Sequence, residues 1–251
     1  MATTTVTQPG QQQAALGAYD RMFYSGMAIT MAIVVFVGFA PTFYLRNQFG
    51  APVSVSGATS LTTLVVLHGV LFTAWVLLFI LQTALVATHR VAIHRRMGVA
   101  GVVLAVLMLF AGVRTAIQAA ARGSAPPGAD ALGFLIIPLG DMALFAIFVT
   151  AAVAMRRNKE GHKRLMLLAY ISILVAAVAR LPGVIQHGPL FFFGLTFIYL
   201  VIAILYDVWS RGRVHAVYLW GSALLVASVP LRLMLSGTQA WRAVAEFLVH
   251  G

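Results

Sequence analysis

Three arginines, Arg114, Arg180 and Arg232, stand inside apolar stretches where hydrocarbon side chains are the rule. Asp141 and His68 stand inside two more. A guanidinium fork grips carboxylate, phosphate, a lipid headgroup or a haem propionate through paired N–H donors. An aspartate beside it balances and orients the fork, and a histidine hydrogen-bonds or relays a proton. Three Arg and one Asp facing one space carry 3 − 1, or about +2, so such a cluster calls for an anion. Gln118 and Gln186 fall close to the same level and are further candidates for ligand contact. Two other arrangements remain open on these residues. An arginine near a helix end also snorkels to the headgroups. Asp141 also serves simply as a clasp for one arginine.

The elements that would position these groups are membrane spans. Hydrophobic residues make up 61% of the 251-residue chain and charged ones only 9%. Soluble domains carry roughly a quarter charged residues, so this chain cannot cover a water-facing surface. A hydrocarbon layer of ~30 Å takes about 20 residues of helix. Seven apolar runs meet that length, at 22–43, 60–86, 98–119, 133–155, 165–185, 190–209 and 217–236. The fifth, in HKRLMLLAYISILVAAVAR from His162 to Arg180, has only Tyr170 and Ser172 as polar interruptions before its final arginine. Pro189, after QHG, is placed to open a helix.

The basic residues sit between the runs. Arg21 and the loops holding Arg90, Arg95, Arg96, Arg156, Arg157, Lys159, Lys163, Arg164, Arg211 and Arg213 share one side, eleven in all. Arg46, Arg122 and Arg242 share the other. Eleven against three puts the N-terminus in the cytoplasm and the C-terminus outside. The net charge of +11 therefore reads as topology, and nucleic acid is excluded as a partner. Counted from the cytoplasmic end, Arg114, Arg180 and Arg232 lie ~24, ~23 and ~21 Å up their helices. Asp141 lies ~12 Å below the opposite surface, and His68 lies in the outer third of its run. Five helices thus bring ionisable groups to one layer. Pro138, Pro182 and Pro230 mark the same layer, where broken backbone lines cavities. Gly69 and Gly140 would let neighbouring backbones approach.

Other chemistries are weaker. There is no cysteine, hence no disulfide, thiolate or iron–sulfur chemistry. The only lysines, Lys159 and Lys163, fall in a loop, so a retinal Schiff base is excluded. His89, His94, His162, His215, Glu160 and Asp207 gather near the cytoplasmic face, but their spacing matches no known metal motif, and no metal is assigned. Asp207, at the end of an apolar run, is expected to pair with a basic residue of a neighbouring loop. His94, His162 and His215 each precede one of the three arginines by about five helical turns, a weak internal echo.

The segments LHGVLFTAWVLLFILQ, HRVAIHRRMG, EGHKRLMLLA and YDVWSRGRVHAVYLWG resemble a family of uncharacterised bacterial multi-pass inner-membrane proteins. The resemblance implies a bacterial inner-membrane location and supplies no catalytic residues. A looser likeness is to membrane b-type cytochromes, which implies haem b held by His68 and His187, or by two of His94, His162 and His215.

The chain is thus expected to be an all-α integral membrane protein. Residues 1–20 form a disordered cytoplasmic tail, 21–237 a seven-helix transmembrane bundle, and 238–251 a short amphipathic surface helix. In that helix Trp241, Val244, Phe247 and Leu248 turn toward lipid. The expected function is binding or transport of a small anionic or amphiphilic ligand in a basic pocket of the outer half of the bilayer. A haem-binding redox protein and a non-catalytic partner of another membrane protein are the alternatives.

Overall fold

A computed structural model describes residues 9–49, 61–126 and 128–251 of the chain. Among them, seven helices are long and apolar enough to cross a membrane. The spanning helices are α1 (Pro9–Phe39), α2 (Thr63–Ala87), α3 (Val91–Ala121), α5 (Ile136–Ala154), α6 (Lys159–Val178), α7 (Pro189–Arg211) and α8 (Ala216–Ser236). A short helix, α4 (Ala131–Phe134), leads into α5, and α9 (Gln239–His250) closes the chain.

Local chemistry sets these boundaries. Thr62 caps α2 by accepting from Val65 N, and Asn158 caps α6 by accepting from Glu160 N and Gly161 N. Pro189 is the first residue of α7, as its fixed φ favours. Gly212 ends α7 in the left-handed conformation, at φ 69°. A π-helical turn, Ala40–Tyr44, extends α1 and contains Pro41, whose missing N–H favours a widened turn.

Two boundaries differ from the sequence reading. The helix α1 begins at Pro9, within the stretch 1–20 expected to be disordered. Residues 1–8 lie outside the described residues, as does residue 60 at the start of the second run. The fourth run is divided at Leu135, where α4 gives way to α5.

Five helices form a closed ring in which α1 packs on α2, α2 on α3, α3 on α5, α5 on α6, and α6 back on α1. Against the outside of α5 and α6 lie α7 and α8. The most enclosed element is therefore α6: Leu165, Leu167, Leu168, Ala169 and Leu174 are fully buried. A helix apolar on every face can be surrounded this way without exposing a polar stripe. Where α1 crosses α6, Gly38 sits against the Ala177 carbonyl, and a Cβ there would collide with it. Gly38→Val is therefore expected to destabilise the bundle by about 1–3 kcal/mol through overpacking, measurable as a lowered midpoint in heat or SDS titration.

On α9, Trp241 donates from Nε1 to the Leu132 carbonyl at 2.9 Å, and Ala245 is fully buried. Trp241 and Leu248 thus turn toward the bundle more than the amphipathic pattern suggests. Val244 and Phe247, by contrast, are exposed as expected.

Candidate functional site

The five-helix ring encloses a cavity of about 430 Å³. Its volume lies within the roughly 300–1,000 Å³ typical of small-molecule sites. The wall is mainly apolar and aromatic, with Phe39, Phe43, Phe72, Phe134 and Phe192 among its members. Four buried polar atoms on this wall have no hydrogen-bond partner among the described residues: Thr42 Oγ1, His68 Nδ1, Thr115 Oγ1 and the Tyr170 hydroxyl. An unpaired buried polar group costs about 1–3 kcal/mol. Four of them on one cavity are tolerable only if something inside the cavity completes them.

Each comes from a different side of the ring. Thr42 belongs to the π-helical turn after α1. His68 lies on α2, stacked on Phe72 at 4.1 Å between ring centroids. Thr115 lies on α3. Tyr170 lies on α6, only 1% exposed, its ring edge-on to Phe79. Gly69 and Gly140 admit side chains rather than backbones. The Phe43 ring lies over Gly69, and the Arg232 side chain lies over Gly140.

The three arginines do not meet. Arg180 lines the cavity, half-buried; its Nη1 donates to the Ala176 carbonyl at 2.7 Å and its guanidinium covers the Phe39 ring at 4.7 Å. No carboxylate pairs with it among the described residues. Arg114 is exposed on α3 and does not line the cavity. Arg232 is 5% exposed and bound to Asp141: Nη1 donates to Oδ1 at 2.6 Å and to the Ile137 carbonyl at 2.9 Å. Its Nε and Nη2 donate to the Ser228 carbonyl and hydroxyl at 3.1 and 3.0 Å. Asp141 touches both this clasp and the cavity wall. Its charge is cancelled by Arg232, so Arg180 is left as the uncompensated cation of the half-buried wall. Arg122 also reaches the cavity, from the exposed rim.

The remaining candidates are peripheral. Gln118 accepts from Thr62 Oγ1 at 3.4 Å, half-buried. Gln186 and His187 are exposed in the turn before α7, with His187 against Phe191. His187 does not line the cavity, so the ring offers haem a single axial nitrogen, that of His68. His94 and His162 do approach one another, at 6.3 Å between ring centroids. His162 is held there by the Ala152 carbonyl at 2.9 Å. Among the described residues no three His, Asp or Glu side chains gather as a metal set.

The opposite end of the bundle carries a charge network only partly legible in the sequence. Arg164 and Asp207, both fully buried, form a bidentate pair; Arg164 Nε lies 2.9 Å from Asp207 Oδ2, and Nη2 bonds Oδ1. Arg164 also donates to Glu160, and Arg211 bridges Asp20 at 2.6 Å and Glu160 at 3.1 Å. Lys163 joins Asp20 and Glu160 at 2.6 and 2.8 Å. Asp20, Glu160 and Asp207 thus face Lys163, Arg164 and Arg211, three against three. A balanced network clasps α1, α6 and α7 and leaves no charge for a ligand. The charge clusters alone place Arg164 in a loop and leave unnamed the base that Asp207 would meet; the structure puts Arg164 on the first turns of α6 and makes it that base. Burial and then the Arg164 charge push the His215 imidazole below its ordinary range. The neutral ring suits its work, accepting Val217 N–H at 3.1 Å to cap α8.

Tyr170, Thr42 and Thr115 are site residues that sequence reasoning does not single out. The one signal for Tyr170 is a phenol amid wholly aliphatic neighbours. No family model, no curated protein and no solved structure matches the chain, so the arrangement of the cavity itself carries the functional reading.

Proposed function

We propose that this multi-pass membrane protein binds a small amphiphilic molecule inside its helical ring. One observation carries the reading: a cavity of about 430 Å³ whose apolar wall holds, among the described residues, four buried polar atoms without partners and one half-buried guanidinium without a counter-ion. Apolar walls take the ligand's body. Arg180, Tyr170, Thr42, Thr115 and His68 supply hydrogen bonds to its polar part, where the low dielectric makes each bond count. Gln118 and Arg122 stand near the rim, where a ligand would enter. Arg114, Arg232 and Gln186 drop out of direct contact in this reading; Asp141 stays on the wall as part of the clasp. The basic loops favour an inner-membrane protein with this cavity in the outer half of the bilayer.

The test is photoaffinity labelling with a diazirine-bearing amphiphile of decanoate length. Labelled peptides are expected from α2, α3 and α6 at cavity-lining positions. Ala176→Phe, which fills the cavity from α6, is expected to cut labelling about tenfold, as steric exclusion from a well-formed pocket does. Uniform labelling of lipid-facing positions such as Phe110 and Met234, unchanged by Ala176→Phe, would refute the reading.

A further inference from the structure

We propose that the occupant's polar part is a single carboxylate, and that the whole molecule has roughly fourteen non-hydrogen atoms or fewer. The inference rests on the cavity being a ligand site and goes on to name the ligand's class. Charge sets the head group. Asp141 and Arg232 neutralise one another at 2.6 Å, and Arg114 is exposed away from the cavity. Arg122 is exposed on the rim, where water and salt screen it. Arg180 alone balances a ligand charge within the wall. One guanidinium matches one negative charge. A phosphate monoester carries about −1.5 to −2 at neutral pH, and its second charge would be buried without a partner. A neutral head would leave Arg180 as the structure has it, with only the Ala176 carbonyl and the Phe39 face.

Geometry agrees. Arg180 folds back along α6 to bond the Ala176 carbonyl, which holds its guanidinium on the cavity wall over the Phe39 face. The Tyr170 hydroxyl is buried, unpartnered and on the same wall. A carboxylate has two oxygens to offer the fork of guanidinium donors, and those bonds are charge-assisted by its anionic form. Size sets the body. At about 30 Å³ per water-sized group, a cavity of about 430 Å³ holds roughly fourteen non-hydrogen atoms. A two-chain phospholipid is several times too large. A medium-chain fatty acid and a small fused-ring aromatic acid both fit, and they share the carboxylate chemistry.

The experiment titrates the protein in lipid nanodiscs, reading tryptophan fluorescence against empty nanodiscs. The probes are decanoate, 2-naphthoate, decanol and decyl phosphate. Decanoate or 2-naphthoate is expected to bind at least about tenfold tighter than decanol and decyl phosphate, the worth of one charge-assisted pair. The tighter of the two acids identifies a chain or a ring as the body. Arg180→Gln is expected to erase the advantage over decanol, while Arg180→Lys retains part of it. Decanol binding as tightly as decanoate, decyl phosphate binding tighter, or an undiminished advantage over decanol in Arg180→Gln would each overturn the carboxylate assignment while leaving the cavity as a ligand site. Failure of all four probes to bind wild-type protein, together with cavity-independent photolabelling, would remove the ligand site as well.

Discussion

Asp207→Leu is expected to cost about 3–5 kcal/mol of stability, the penalty for stranding a buried charge. The stranded group is Arg164, fully buried beneath the turn between α7 and α8. It would lose both oxygens of its bidentate partner and keep only Glu160. Asp207 does more than balance charge, since its Oδ2 also accepts His215 N–H at 3.0 Å. Removing it unties the start of α8 along with the end of α7. The double variant Arg164→Met/Asp207→Leu tests the cause. Replacing both charges with apolar groups of similar volume is often neutral or stabilising, so the double variant is expected to recover most of the loss. SDS titration in mixed micelles, with the two singles and the double, gives the coupling directly. Salt provides a second check. A fully buried pair is poorly screened, so the loss is expected to persist from low to high ionic strength. A loss that disappears in high salt would mean the pair is solvated and the network peripheral.

The contrast between the two ends of the bundle explains what the sequence disclosed. Run lengths and charge clusters located seven spans because lipid demands continuous apolar helix, a constraint that acts residue by residue along the chain. Pro189 was legible as a helix start because its fixed φ acts locally. Arg180, His68 and Asp141, three of the residues singled out, do line one cavity. Azimuth was not legible. In water an apolar stripe points to the core, but here lipid is as apolar as the core, and periodicity loses its compass. Arg114 and Arg180 therefore read alike from the sequence, yet one is exposed on α3 and the other lines the cavity. The Arg164–Asp207 pair joins residues 43 apart, a separation no local pattern reports. Tyr170 was visible only as a residue out of place. Its meaning appears once α1, α2, α3, α5 and α6 close a ring around its hydroxyl.

Asp141 and Arg232 offer the second large effect, and they separate a structural clasp from a ligand-holding group by the direction in which ligand affinity moves. Asp141→Leu strands Arg232 with two carbonyls and a hydroxyl but no anion. Arg232→Leu strands Asp141, which is 6% exposed. Each is expected to lower stability by about 3–5 kcal/mol, read by SDS titration in mixed micelles. Ligand affinity is expected to diverge. Asp141 faces the ring cavity, whereas Arg232 lies behind it against Phe193. Arg232→Leu therefore leaves an unpaired carboxyl on the cavity wall, neutral while it holds a proton, and is expected to weaken decanoate binding about tenfold only at a pH high enough to ionise it, where a like charge at short range opposes the ligand. Asp141→Leu removes that carboxyl while Arg232 stays behind the wall, so decanoate affinity is expected to hold in whatever fraction stays folded. Were Arg232 itself the group that grips the ligand, Asp141→Leu would free it to bind, and decyl phosphate, with its extra charge, would become the preferred probe. Were neither residue coupled to the cavity, both variants would unfold more readily while binding decanoate like wild type. The pair of affinities thus decides whether the carboxylate's partner is Arg180 alone.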